Sequence, residues 1–411
     1  MTARVMITDA EERAVLGTCR GLQSAGYRVS AVATKRPAAA HWSRSCARRF
    51  DAPDPREDVT AFAARLEELL RAGDHAVLLP GSDVSLYAIS EHRDRLDPLT
   101  RVGLPPREVV RESLDKLALL ELAADAGLHS PETVLCVDIS DARAAAARIG
   151  YPVVLKPARS FLDVGTGLRQ QRVAFTADES TLAAEARNLG TPFLVQRYEH
   201  AGVLFSCTGV IAGGDLLALT TSRVLRMWPP LGGMHTLSET VPVPRTLGAR
   251  VRTLLRTLRW TGIFQLQMLE FDDGRYAVID LNPRVFASIT LDVRAGANLG
   301  AIWCDWLLGR QPASAVAKPG FRYRWEEGEL FHLLWRLRRA ELRAAASVLL
   351  PRRRVAHAWF RLRDPAPIAA RAFGLSRRVV TGNGHRRKAG SGATRFSPME
   401  SDQARSPRTA P

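Results

Sequence analysis

The chain has 411 residues, 46% of them hydrophobic, and a formal net charge of +16; this length exceeds what one core usually fills, so two or three domains are expected. Its five cysteines (Cys19, Cys46, Cys136, Cys207, Cys304) are scattered and odd in number, which excludes a disulfide framework and a paired zinc module and favours a reducing compartment. No apolar run approaches the roughly 20 residues a spanning helix needs and MTARVMITDA lacks a signal-peptide core, so a cytoplasmic location is expected.

The charge is unevenly placed. Residues 1–320 hold 38 basic and 35 acidic groups, while residues 321–411 hold 20 and 7. Basicity therefore belongs to a C-terminal appendage, and no nucleic-acid-binding function is expected of the main body.

In chain order, RVMIT (4–8) reads as a strand, the segment 10–27 as a helix ending near Gly26, and RVSAVAT (28–34) as a second strand, which together make a parallel βαβ unit. A helix over 58–73 leads into HAVLLPGSD, a buried strand that opens at Pro80 to Asp83. Ser82 and Asp83 there either line a ligand crevice beyond the strand ends or make an ordinary turn capped by Asp83. Ser113 is expected to cap the next helix, with Leu114, Leu117 and Leu120 inward, Gly127 at its end and Lys116 in its first turn. The dipole disfavours a cation at that place, so Lys116 is either solvated or waits for an anion.

Val153–Leu155 is a short buried strand closed by Lys156 and Pro157. The loop after it offers Arg159, Gly165, Thr166 and Gly167, able to present N–H groups and positive charge to an anion, although it is neither a Walker loop nor a dinucleotide fingerprint. A helix near 178–189 precedes TPFLVQRYEH, an apolar strand running into Gln196, Arg197, Glu199 and His200. Two hairpins follow, one turning at Gly213-Gly214 and one at Asp273-Gly274. The second ends in AVIDLNPRVF (277–286), where strand alternation sends Asp280, Asn282 and Arg284 one way and Ile279, Leu281 and Pro283 the other. Across the hairpin, Gln265 and Gln267 can lie beside Asp280 and Asn282, with Glu270 nearer the turn and on the opposite face of a regular arm.

Lys116 on a helix, Lys156 closing VVLKPA, the strand into QRYE and the hairpin ending IDLNPR together resemble the ATP-grasp superfamily, in particular its carboxylate–amine ligase-like members, over roughly residues 4–310. The resemblance implies an α/β protein, α+β in the ATP-grasp part: a Rossmann-like pre-ATP-grasp domain (1–105), then a two-subdomain ATP-grasp domain (106–310). The latter divides into a lysine-bearing subdomain with the lid (106–195) and a metal-binding subdomain (196–310). A basic helical extension (311–380) and a disordered tail (381–411) would complete the chain.

The same resemblance implies ATP and Mg2+ as cofactors, with Mn2+ as an alternative. Lys116 and Lys156 would contact phosphates, and Arg159 to Gly167, including Gly165, would form the lid. The backbone of Gln196, Arg197 and Tyr198 would meet adenine, and Glu199 the ribose. Asp280 and Asn282 would hold the metal, with Gln267 or Glu270 as the third ligand, and Arg284 would steady the reacting group. Gln267 departs from the usual glutamate, and Leu204 stands where another is common.

The implied activity is an ATP-dependent ligase joining a small-molecule carboxylate to an amine through an acyl phosphate. Arg223 and Arg226 are candidates for binding the carboxylate or are solvated strand arginines, and His235 is either a proton carrier or an inert loop residue. The alternative is a catalytically inactive ATP-binding regulatory protein of the same fold. The segment 329–365 contains two basic amphipathic stretches, read either as helices packed on the ligase or as a weak contact with anionic membrane.

Overall fold

The first strand, Arg4–Ile7, lies in the middle of a five-stranded parallel sheet ordered Cys46–Asp51, Arg28–Ala33, Arg4–Ile7, His75–Leu79, Arg101–Val102. The computed structural model describes residues 2–159, 161–163, 165, 167–170, 173–199, 202–230, 233–312 and 314–380. Thr166, His200, Gly232 and the tail expected over 381–411 lie outside them. The helix after the first strand runs Arg13–Ser24, later than its apolar pattern suggested, because Asp9 adopts a φ of 62° and Glu12 stays extended before the first turn. The strand Cys46–Asp51 was not expected from its sequence, CARRFD. It is a sheet edge whose arginines face solvent, a composition that discourages further strand pairing.

A four-stranded sheet, Ala174–Thr176, Val153–Pro157, Phe193–Arg197, Thr133–Cys136, is antiparallel throughout. The helices Ile139–Ile149 and Glu179–Leu189 place Ala142, Ala146, Leu182 and Leu189 in its separate core. The helix carrying Lys116 begins at that residue, and its cap is Asp115, whose carboxylate accepts from the N–H groups of Leu117 and Ala118 at 3.0 and 3.2 Å. Ser113 instead ends the preceding helix, Arg107–Ser113, where its hydroxyl donates to Val110 O. The expectation of a Ser113 cap is therefore corrected: a carboxylate two residues on satisfies two of the free N–H groups at the helix start.

The largest sheet runs Tyr276–Asn282, Gly262–Glu270, Val203–Ala212, Asp215–Trp228, Met234–Val241, Arg322–Arg324, Val355–His357. Its last two strands come from the segment expected to be a helical extension. That extension holds the helices Glu326–Arg338 and Leu342–Leu349, but between them and around them the chain adds strands to the sheet, Ala315–Val316 included. The described residues up to Arg371 form one compact unit, and those from Ala372 belong to a second.

Within the first unit the extension is fastened to the N-terminal domain by a buried ion pair. Asp364 accepts from Arg20 Nε at 2.9 Å, Ser43 Oγ at 2.6 Å and Arg44 N at 3.0 Å, and Arg20 also donates to Trp359 O. Burial alone would raise the Asp364 pKa, but the bonds from Ser43, Arg44 and Arg20 together hold it below the ordinary carboxylate value. A depressed carboxylate stabilises the fold above its unfolded pKa, and this contribution is lost as pH falls through the folded value. Asp364→Ala leaves Arg20 buried without a countercharge and should cost about 3–5 kcal/mol in urea denaturation; a loss under about 1 kcal/mol would mean that the segment after His357 is not held by this pair.

Candidate active site at the edge of the large sheet

The site is built around a break in the register of the edge hairpin. Gln265 faces Asn282, Leu266 faces Leu281 and Gln267 faces Asp280, but the next pair is Met268 with Val278, so Ile279 is an extra residue. A bulge of this kind frees a backbone group and re-aims the side chains beyond it. The freed Ile279 carbonyl accepts from Lys156 Nζ at 3.1 Å. One residue on, Asp280 forms an ion pair with Lys116 Nζ.

The two lysines reach this edge because their backbones are tied together. Lys116 N donates to Ala158 O at 3.0 Å, and Asp115 and Arg159 form a β-bridge, so the helix start is fastened to the turn leaving the Lys156 strand. Lys156 itself is desolvated by burial and repelled by Lys116; the pull of Asp280 only partly offsets this, and its pKa is pushed down to about 8. Lys116 pairs with the Asp280 carboxylate while Lys156 bonds the neutral Ile279 carbonyl beside it, which leaves surplus positive charge for an anion.

Asn282 and Arg284 extend the same edge. Asn282 Nδ2 donates to Gln265 Oε1 at 3.1 Å, and its Oδ1 accepts from Arg284 Nη2 at 3.1 Å. Arg284 grips both oxygens of Asp83, at 2.7 and 2.9 Å. Burial would lower the Arg284 pKa, yet Asp83, aided by Glu12 and Asp9, keeps it above the ordinary value and the guanidinium stays charged. Asp83 is the first residue of the helix Asp83–Glu91, and the cap is Ser82, which accepts from Ser85 N at 3.2 Å. Of the two readings of this loop, capping by Asp83 is thereby replaced: its carboxylate is turned to Arg284.

The crevice they share lies between the strands Arg4–Ile7 and His75–Leu79, where strand order reverses. Its floor is Asp9, 1% exposed, whose carboxylate accepts from Thr8 Oγ1 at 2.6 Å, Gly81 N at 3.2 Å, Ser82 Oγ at 2.8 Å and Ser85 Oγ at 3.0 Å. Sequence reasoning passed over Asp9; the available signal was an acidic residue directly after the first strand. It also missed Glu11, which burial and the neighbouring Asp9 raise to about 7 against the hydrogen bonds of Thr34.

The remaining candidates divide. Gln196 turns its side chain inward, donating to Thr133 Oγ1 at 2.8 Å, while Arg197 pairs with Glu132 at 2.5 Å and Tyr198 sets its ring edge-on to Phe175. Glu199 lies 3.9 Å from His129 Nε2, and His129 bonds through its backbone to Tyr276 and Val278, so this segment is coupled to the edge strand. The lid expected as a loop contains two short paired strands, Phe161–Asp163 and Leu168–Gln170. Leu168 N donates to Arg56 O at 3.0 Å, and a Cβ on Gly167 would stand 2.1 Å from that same oxygen, which is why glycine is needed there. Gly165, at φ +93°, is exposed, and Arg159 lies 4.0 Å from Asp115.

Four candidates are held elsewhere. Arg223 forms a bidentate pair with Glu270 at 2.5 and 2.8 Å, and Tyr276 Oη donates to the same carboxylate, so neither Arg223 nor Glu270 is at the edge hairpin's open face. Arg226 is buried against Glu329 at 3.1 Å. His235 is held neutral, its pKa lowered to about 4 by burial and by Arg13.

Among the described residues no group of three or more His, Cys, Asp and Glu side chains is placed to hold a metal. Asp280, with Gln267 opposite it and Asn282 two residues on, could hold one hard cation whose other ligands would come from a bound substrate and water. A second cation would have a neutral glutamine where it needs a carboxylate.

No family model matches the chain. Among curated proteins it is similar to the carbamoyl phosphate synthase large chains of Mycobacterium tuberculosis, 26% identical over 204 residues, and of Archaeoglobus fulgidus, 27% over 202. Each match covers 46% of this chain, and 17% and 18% of those relatives, so the chain spans less than a fifth of their length. Among solved structures it is similar to the biotin carboxylase domain of Hydrogenobacter thermophilus 2-oxoglutarate carboxylase, with TM-score 0.61, 14% identity, and coverage of 78% of this chain and 73% of that one. The L-amino acid ligase of Bacillus licheniformis gives 0.60 at 13% identity, covering 74% of each chain. The ADP complex of the N5-carboxyaminoimidazole ribonucleotide synthetase PurK gives 0.59 at 13%, covering 78% and 81%. These identities carry the fold alone, and with the order of sheets, the two lysines and the DLNPR edge they identify it: the chain has the ATP-grasp fold, a Rossmann-like sheet followed by a two-part ATP-grasp body.

Proposed function

We propose that the protein is an ATP-dependent ligase that joins a carboxylate to an amine through an acyl phosphate. The observation that carries this reading is the convergence of Lys116, Lys156, Asp280, Asn282 and Arg284 on one bulged strand edge. Two ammonium groups suit the phosphates of a nucleotide, and Asp280 with Asn282 would hold Mg2+, which supplies charge neutralisation at the transferring phosphoryl group. The protein's own work is positioning and electrostatic stabilisation, which dominate phosphoryl transfer. Arg284, paired with Asp83 and bonded to Asn282 Oδ1, would fix the position of Asn282 before a substrate arrives.

The similar solved proteins support this reading, since they include an amino acid ligase and a PurK in complex with ADP. The carboxylate site does not use Arg223 or Arg226 in this reading, because each is neutralised by its own glutamate. Incubation with ATP, Mg2+, and panels of carboxylic acids and amines should release ADP only when both substrates are present; AMP as product would overturn the acyl-phosphate route.

One observation favours the second reading, a nucleotide-binding protein without turnover: Gln267 faces Asp280 where a second carboxylate would complete a two-metal site. Retained binding of a non-hydrolysable ATP analogue with no ADP release over the whole panel would select it.

In either reading, Mg2+ with a non-hydrolysable ATP analogue at about a hundred times its Kd should stabilise the wild type by roughly 2.7 kcal/mol. Asp280→Ala and Lys156→Ala should abolish the shift in Tm.

Affinity should also depend on pH. Lys156 is protonated below about 8, so nucleotide binding is strongest there. Above it affinity should weaken by up to about tenfold per pH unit as the charge is lost. Lys156→Arg, always charged, should flatten the profile between pH 7 and 9 measured by calorimetry.

A further inference from the structure

Two of the three described helices of the extension leave an apolar face uncovered. On Glu326–Arg338, Leu330, Leu334 and Leu337 fall at helical spacing and are 52%, 43% and 46% exposed; on Leu342–Leu349, its two terminal leucines are 68% and 66% exposed. Farther on, Leu362 is 83% exposed. The inward positions are filled by Glu329, His332, Ala345 and Val348, so these leucines belong to the outer face of helices whose inner face is already packed.

The same segment is strongly basic. Residues 330–363 carry nine arginines against one acidic residue, Glu341, and that one is bound by Arg336 and Arg339. Arg338, Arg343, Arg353, Arg361 and Arg363 are exposed and have no carboxylate partner among the described residues. Residues 372–411 add eight basic residues against two acidic ones.

We propose that this face docks on an anionic bilayer surface, with the leucines entering the boundary between headgroups and acyl chains and the arginines on lipid phosphates. Amphipathic helices bind membranes through this combination of buried apolar area and attraction to anionic lipid. A nucleic acid would engage the arginines but would leave the leucines in water. A second copy of the chain would cover the leucines but would bring two strongly positive faces together. No described helix is long and apolar enough to cross a membrane, so the association is peripheral.

The test is co-sedimentation of the full chain with vesicles of phosphatidylcholine alone or mixed with phosphatidylglycerol. Binding to the anionic vesicles should exceed that to neutral ones by about tenfold or more, and raised salt should weaken it. Leu342→Asp with Leu349→Asp, and separately Arg343→Gln with Arg353→Gln, should each lower partitioning by about tenfold with near-ultraviolet circular dichroism unchanged. Equal partitioning into both vesicles, no partitioning, or wild-type binding by the leucine variant would overturn the proposal. So would a dimer in solution that the leucine variant dissolves, or preferential capture by RNA over vesicles.

Discussion

The extra residue at Ile279 is the constraint on which the site depends. A regular hairpin would pair Ile279 with Met268 or its neighbour and leave no spare carbonyl for Lys156. Skipping it frees that oxygen and brings Asp280 opposite Gln267, within reach of Lys116. The bulge is thus where two separate parts of the chain, the helix start at Lys116 and the strand end at Lys156, meet the large sheet. Because Lys116 N is also bonded to Ala158 O, the backbones that carry the two lysines are fastened together beside this edge.

Charge pairing fixes the arginines around the site in place. Arg223 and Arg226 belong to the same long strand, and both are tied to glutamates, one across the sheet and one from the helix Glu326–Arg338. Such pairs fix the positions of strands and helices and leave little free charge for a ligand. Arg284 is paired as tightly, but its partner, Asp83, comes from the N-terminal domain. That bond joins the end of DLNPR to the crevice where the parallel sheet reverses, beside Asp9 and Glu11. A substrate bound there would touch both domains.

Much of the architecture was legible from residue patterns because it rests on local signals: the βαβ opening, both long hairpins with their glycine turns, and the lysine-bearing strand closed by proline. What escaped was mostly set by tertiary contact. Asp115 and Ser113 are both good caps, and only the bond from Lys116 N to Ala158 O decides between them. The strands Arg322–Arg324 and Val355–His357 are three residues each and flank helical sequence, so no periodicity could announce them; they exist because the large sheet has an open edge at Met234–Val241. In the site, the alternation of Asp280, Asn282 and Arg284 could be read from the sequence, but the bulge beneath it could not. Nor could the partners that withdraw Glu270 and Arg226, since both lie far along the chain.

The Lys116–Asp280 pair also fixes how ligands at this edge must be coupled. As long as Lys116 neutralises Asp280, a cation competes with an ammonium group for the same carboxylate, and a phosphate competes with the carboxylate for the same ammonium. Under the proposed function the two competitions resolve together. A bound triphosphate would offer Lys116 anionic oxygens in place of Asp280, and Asp280 would then be free to hold a divalent cation. Linkage makes this reciprocal: whatever factor the nucleotide adds to metal affinity, the metal adds to nucleotide affinity. With Gln267 neutral, the exchange would run through Asp280, the carboxylate that Lys116 holds at this edge, so the coupling would be concentrated in one residue pair.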